Sequence, residues 1–508
     1  MSWWLVVVAA IVVAAVGWVA TSWLLGEADR AGDADKRALA RVEAIKTGLG
    51  VGAGTTGIFA LLLAVRRQQH TESDATEKNV TDLYTKAADQ LGSAEAPVRL
   101  AGLYSLERLA HSNPGQRQSI VNVICAYLRM PFALPGTEST RASLADQFQE
   151  HQGRVQEREV RLAAQDILVE HLQPRLHRKF WENIELNLAN AHLIDFKLAH
   201  CRVRTGSFVA ATFTGGAEFA HTTFTDRVGF VGATFTGDAR FDNATFGPAE
   251  FAQATFSGDA GFSHATFTGD AEFESATFAG GVRFIAAAFT RRARFSHANF
   301  GGDAEFGGTT FNWGATLADA TFVGEANFGN AKFAGDVSFH NTNFTGSVTF
   351  ISATFTGDVK FRGTTFVGDA VFGNTTFAYS PWFFSATFTG DVWFDGATFT
   401  RGARFGDTSF TGDIRFVSAI FAGDANFADV TITGAAKFDA ATFTGNSGLV
   451  SANVIGGVRF ARATFVADAV FMGAAFKADS LPTSVVTVPA DVDTLTGNVP
   501  DNVLPPGT

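Results

Sequence analysis

Cysteine is almost missing: Cys125 and Cys201 are the only two in 508 residues. Two thiols cannot build a disulfide framework, and neither stands in a cysteine-rich spacing that reads as zinc. Basic charge is also short, with 39 Lys and Arg against 50 Asp and Glu, a net −11. That balance excludes a general nucleic-acid binder, which would be basic. A nucleophile–base arrangement or a phosphate loop is equally hard to find. Gly52-Ala-Gly-Thr-Thr-Gly57 spells GxGxxG, but it stands in an apolar run and not between a strand and a helix, where a dinucleotide site needs it.

Charge is absent altogether from Trp3 to Leu25, 23 residues, enough to span a bilayer. No basic residues precede it, so it reads as a retained helix and not as a cleaved signal. Thr47 to Val65 is a second uncharged run, closed by Arg66-Arg67, and its glycines include GxxxG patterns suited to close helix approach. Two transmembrane helices, about 3–25 and 47–65, are therefore expected within 1–70, with self-association through the second. The intervening Gly26–Lys46 loop carries five Lys and Arg, which by the positive-inside count places the loop in the cytoplasm and the rest outside.

What the chain has in excess is Phe and Gly, 52 of each. From Phe208 to Phe476 a bulky apolar residue returns in alternating steps of five and six. The eleven-residue unit occurs 25 times, and 46 of the 50 ladder positions are Phe; Leu317, Ile432, Leu449 and Val454 fill the others. One step is short, Phe246-Gly-Pro-Ala-Glu-Phe251. Such spacing forms no single helical face. The residue two before each Phe is small almost throughout, as in Ala254-Thr-Phe256, which fits a short strand with one small and one large inward residue. Four such strands close a coil, and stacked coils bury the Phe.

This register resembles the pentapeptide-repeat family, centred on Leu or Phe with a small residue two before. Leu188-Ala-Asn-Ala-His-Leu193 is close to the family wording, and Leu188, Leu193, Leu198, Val203 and Phe208 step by fives. The resemblance implies a right-handed quadrilateral β-helix over 184–478. The added residue at every second corner, usually within Thr-Gly-Asp, implies coils of 22 residues with bulges at two opposite corners. Stacking at ~4.8 Å per rung gives a rod of roughly 60 Å. Cys201 falls on an inward small position, so a buried, inert thiol is expected.

Between the two regions, 71–183 reads as a helical linker or cap. Val80, Leu83, Tyr84, Ala87 and Leu91 mark one helix. Val98, Leu100, Leu103, Leu106 and Leu109 mark another, entered through Pro97; Ile120, Val123, Ile124, Tyr127 and Leu128 mark a third, and Val160–Leu172 a fourth. Ala96 to Ala110 looks like the helical block of membrane-attached bacterial pentapeptide-repeat proteins of unknown function. Residues 479–508, rich in Ser, Thr, Val, Asp and Pro, read as a loosely ordered tail.

Three surface patterns invite a functional reading. His221, His264 and His297 occupy equivalent positions, but the coil arithmetic puts His297 on the opposite face and leaves the other two about 10 Å apart, too far to share a metal. Asp369, Asp391 and Asp413 stack by 22, which suits either calcium or hydrogen bonds within each turn. The outward residue before each Phe is the third pattern. Lys360, Trp382 and Arg404 follow one another on one face; Trp393, Arg415, Lys437 and Arg459 do so on the opposite face. Adjacent rungs would set Arg404 over Trp382 and Arg415 over Trp393, and Tyr379 and Phe384 add exposed rings.

No catalytic residue, cofactor or metal is expected. The leading expectation is a non-enzymatic, membrane-anchored scaffold whose rod binds a protein partner through Tyr379, Trp382, Phe384, Trp393 and the neighbouring Lys and Arg. The family resemblance favours the cytoplasmic face of the cell membrane over the loop-charge count. It also implies an alternative, since some members mimic duplex DNA and bind type II topoisomerases; the repeats carry 24 acidic and 16 basic residues between Gly206 and Ala478, a net −8. A calcium-dependent or enzymatic β-helix is the third reading.

Overall fold

The computed structural model describes residues 3–30, 32, 34–136, 144–467, 469–470 and 475–476. The tail expected over 479–508 lies outside them. The chain divides into two compact units, Met1–Asp89 and Gln90–Thr508.

The first unit is helical. α1 (Trp3–Ala28) turns into α2 (Ala34–Leu91), and Arg41 fastens the turn by donating from Nε (2.9 Å) and Nη2 (2.7 Å) to Asp29 Oδ1. Among the described residues one stretch, Ile11–Ala28, is long and apolar enough to cross a membrane. The expected second span, Thr47–Val65, is not a separate element. It lies inside the 58-residue α2, together with most of the Gly26–Lys46 loop and the helix expected from Val80 to Leu91. Proline is absent between Ala34 and Leu91, so nothing stops the helix, and the runs of opposite polarity that suggested separate elements share one rod of hydrogen bonds.

The second unit begins with α3 (Ala96–Ser112), a 3-10 turn (Pro114–Gln116), α4 (Arg117–Leu128) and α5 (Leu144–His171). Leu103, Leu106, Leu109, Ile120, Ile124, Leu128, Val160, Ala164 and Leu168 are buried, whereas Val98, expected on the buried side, is exposed. α5 starts sixteen residues before the expected Val160. Eight of its first fourteen residues are Gln, Glu, His or Arg, and Leu144, Phe148 and Val155 are too sparse to announce a buried helical face.

From Glu185 onward the backbone forms four stacks of parallel strands. β1 (Glu185–Asn187) opens face 1 and β2 (His192–Ile194) opens face 2. Lys197, bridged to Glu218, opens face 3, and β3 (Arg202–Val203) opens face 4. Faces 2, 3 and 4 hold 14, 12 and 13 strands; face 1 is a nine-strand and a four-strand sheet joined through Trp382. The register is direct, Phe over Phe and small residue over small residue, as in Phe256 over Phe235 and Ala271 over Ala249.

The four-faced solenoid expected from the ladder is therefore present. Phe rings stack in columns, with Phe251 and Phe273 4.8 Å apart and 1° from parallel. Neighbouring columns meet edge to face, as in Phe251 and Phe262 at 5.5 Å and 90°. Each buried ring contributes roughly 1.5–3 kcal/mol by desolvation. The four exceptions, Leu317, Ile432, Leu449 and Val454, are buried in the same columns.

The short step at Gly247-Pro248 leaves pairing intact, since Ala249 still pairs with Val228. The ring columns across it keep their spacing as well, with Phe246 and Phe267 4.8 Å apart.

Candidate interaction surface

The two kinds of corner decide which side chains reach the surface. At the tight corners the third turn residue is left-handed, as at Asn243 (φ 58°), and the following N–H returns to the ladder carbonyl, Ala244 N to Phe241 O at 3.1 Å. At the longer corners a glycine column lets successive coils touch; a Cβ on Gly390 would lie 2.6 Å from the Gly368 carbonyl carbon. Between faces 4 and 1 this glycine is replaced six times, by Asp226 and Ala467 and by four larger residues, Arg291, Trp313, Tyr379 and Arg401. Trp313 is followed by Gly314 at φ 143° and Arg401 by Gly402 at φ 103°. Those positive φ values re-aim the chain, so the bulky side chain points outward.

Face 1 and its two edges gather three of the four aromatic residues singled out from sequence, Tyr379, Trp382 and Phe384. Trp382 lies between two cations, with Arg404 4.9 Å and Lys360 5.9 Å from the ring centre. Tyr379 is covered by Arg401 at 4.3 Å and Phe384 by Arg362 at 5.8 Å. All three rings are exposed, at 36–40%. Farther along the same edge Trp313, 57% exposed, meets Arg291 at 5.2 Å and Arg292 at 5.6 Å.

Face 3 behaves differently. Trp393 and Arg415 are register partners on adjacent rungs, but the expected cation–π contact is not the one formed. Arg415 Nη2 binds Asp395 Oδ2 at 2.7 Å, because a carboxylate is in reach there and attracts a guanidinium more strongly than a ring does. Lys437 pairs with Asp413 at 3.4 Å, and Arg459 with Asp439. The two basic ladders look alike in sequence. One is neutralised by acids and the other rests on aromatic rings.

Residues 219–442 match the family model for pentapeptide repeats, in overlapping copies from 219–266 to 394–442. This is a pentapeptide-repeat β-solenoid. No curated protein and no solved structure matches the chain. The pentapeptide register continues in the structure on both sides of the matched segment, from β1 to the last described strand, Ala475–Phe476.

Within the repeat corners the Asp column has a role that neither expectation named. Asp369 Oδ1 accepts the backbone N–H of Asp391, and Asp391 Oδ1 accepts that of Asp413, each at 2.9 Å. The bond runs to the next coil, not within the turn, and supplies the acceptor for an N–H that the added corner residue takes out of the ladder. The histidines fall as the spacing required: His221 stacks on His200 at 4.7 Å, while His264 stands farther along the same corner column and His297 on the opposite one.

Both thiols are buried. Burial pushes Cys125 up to about 11 and Cys201 up to about 12, since a thiolate there would lose its hydration. Missed by sequence reasoning were Trp313, Arg291, Arg292, Arg362 and Arg401. Their signal was present: a large side chain in the glycine slot of the long corner (Arg291, Trp313, Arg401), in the Asp slot that follows it (Arg292), or one residue past the ladder Phe (Arg362).

Proposed function

We propose that this chain is a non-enzymatic interaction scaffold, held at a membrane through α1, whose pentapeptide-repeat solenoid binds a protein partner on the cytoplasmic side. The supporting observation is the coil 379–384, which exposes three aromatic rings, Tyr379, Trp382 and Phe384, side by side. Trp, Tyr and Arg are the residues that dominate protein interfaces. The exposed, apolar Ile11–Ala28 stretch of α1, charged only at Glu27, supports membrane attachment. An acidic DNA mimic is less well supported, because face 1 interrupts any continuous acidic surface with cations. Corner carboxylates already bound to backbone N–H groups likewise give calcium little to occupy.

The test is a photo-crosslinkable residue at Ser385 in the full-length chain, expressed in its native host. A discrete protein adduct, reduced in Trp382→Ala, is expected. No adduct, or one of equal yield in that variant, would refute the reading.

A further inference from the structure

The ion pairs of the solenoid are unevenly shared. Arg227, Arg240, Arg283, Arg294, Arg415, Lys437 and Arg459 each meet a carboxylate. Among the described residues Lys197, Arg202, Lys332 and Arg462 stand singly without one on faces 3 and 4 and the corner between them, and a group of six has none either: Arg291, Arg292, Lys360, Arg362, Arg401 and Arg404. These six are all exposed, and all lie on face 1 or its two edges. Instead of acids they contact Trp313, Trp382, Phe384 and Tyr379. Counting coils by register from Arg291 to Arg401 gives five steps, a stripe of roughly 24 Å at ~4.8 Å per rung.

An acidic protein that leaves six cations of one stripe outside any ion pair raises the potential there above its own background. The carboxylates beside the stripe are engaged elsewhere or stand apart. Asp336 accepts the N–H of Asp358 at 3.0 Å, Asp270 the backbone N–H of Arg292 at 3.4 Å, Asp424 that of Asn446 at 3.0 Å and Asp319 the amide of Asn341 at 3.2 Å. None of these, nor Asp358 or Asp407, forms an ion pair with the six among the described residues.

We infer that this stripe is a docking site for an extended acidic segment of a partner protein, laid along the solenoid axis. Charge complementarity selects the partner's sign. Rung geometry fits an extended chain in the polyproline II conformation: Lys360 and Arg404 are two rungs apart, ~9.6 Å, close to the ~9.3 Å of its three-residue turn. Acidic residues in the pattern acid-x-x-acid then stand on one side of that chain and meet the two cations across Trp382.

Single-stranded nucleic acid fits less well, since it needs open ring faces for base stacking and Trp382 has a cation on each side. An anionic bilayer fits less well because the rings lie against the cations and do not project as apolar anchors. The assignment rests on the scaffold reading above and adds the chemistry of the partner.

The experiment uses the full-length chain in mild detergent and a fluorescein-labelled poly-glutamate peptide, followed by anisotropy. A protein of net −11 should repel this probe unless a local site holds it. Binding is expected that weakens with salt, falls about tenfold in Arg401→Gln/Arg404→Gln and in Arg291→Gln/Arg292→Gln, and is unchanged in Arg415→Gln on face 3. No binding, or equal loss in Arg415→Gln, overturns the inference. So does tighter binding to phosphatidylglycerol vesicles or to a single-stranded oligonucleotide than to the peptide. If the Ser385 adduct forms but the Arg401→Gln/Arg404→Gln variant retains it fully, the acidic-partner assignment fails while the scaffold reading stands.

Discussion

Gln165 satisfies both polar groups of Ile194: its Nε2 donates to the Ile194 carbonyl at 2.8 Å, and its Oε1 accepts the Ile194 N–H at 3.0 Å. A side-chain amide on α5 thus takes the place of a missing strand at the first edge of face 2. Gln118 on α4 does the same for Glu185 on face 1, at 2.9 Å in each direction. On face 4 the Leu172 carbonyl accepts the Arg202 N–H at 2.8 Å. An open strand edge is a template for aggregation, and solenoids need a distinct terminal cap. The helical region supplies it with paired amides.

Replacing Gln165 by Ala should therefore leave two buried backbone groups of Ile194 unpaired. A loss of roughly 1–3 kcal/mol per group is expected, concentrated at the first coil because each coil contacts only its neighbours. Hydrogen exchange would show the amides of 186–203 opening first, with those near Phe350 unchanged. Uniform loss of protection along the solenoid would contradict the cap assignment.

Substitution in the Phe columns should depend on the replacement. Phe262→Ala removes a ring that stacks on Phe241 and Phe284 at 4.7 and 4.8 Å, and a cost of roughly 3–5 kcal/mol is expected. Phe262→Leu should cost much less, since Leu317 occupies the same kind of site, fully buried. Thermal unfolding of the two variants side by side checks the difference. Equal destabilisation would mean that ring stacking, not apolar volume, holds the columns.

The solenoid was legible because its period is strict and its core uses nearly one residue type. The step from Phe246 to Phe251 illustrates the point by contrast: a single short interval, at Gly247-Pro248, stood out against an otherwise even ladder, and the structure absorbs it at the corner. The helical unit was less legible. α2 joins an apolar and a polar stretch with no stop signal between them, and the polar start of α5 has no period. At the surface, register correctly placed Arg404 over Trp382 and Arg415 beside Trp393. It could not say that Asp395 would claim Arg415, because that contact lies between a strand position and a corner of the coil below. Trp313 was hidden for another reason: it sits in a corner slot, outside the ladder that carries the period.

The corner Asp residues should matter without metal. Asp391→Ala leaves the Asp413 N–H without its acceptor and is expected to cost about 1–3 kcal/mol, while Asp391→Asn, whose amide oxygen still accepts, should cost less. Chelation with EDTA should leave the melting temperature of the wild-type chain unchanged. A marked fall on chelation, restored by calcium, would reopen the calcium reading and displace the backbone role.

The buried thiols set a pH dependence of stability at the alkaline end. Their ordinary value is 9.0, and the folded chain raises Cys125 to about 11 and Cys201 to about 12, chiefly by burial. Below about 9 both states hold the protons, so the thiols add no slope. Above it the unfolded chain releases protons that the folded chain keeps, and stability falls as pH rises towards the folded values, by up to roughly 1.4 kcal/mol per pH unit for each thiol. Denaturant midpoints measured on either side of about pH 9 should show this decline, and Cys125→Ala/Cys201→Ala should flatten it. The same burial should leave both thiols slow to react with a disulfide reagent near pH 8 until denaturant exposes them. Rapid reaction of either thiol in the folded chain would show that the corresponding site opens to solvent, and the alkaline slope assigned to it would then be absent.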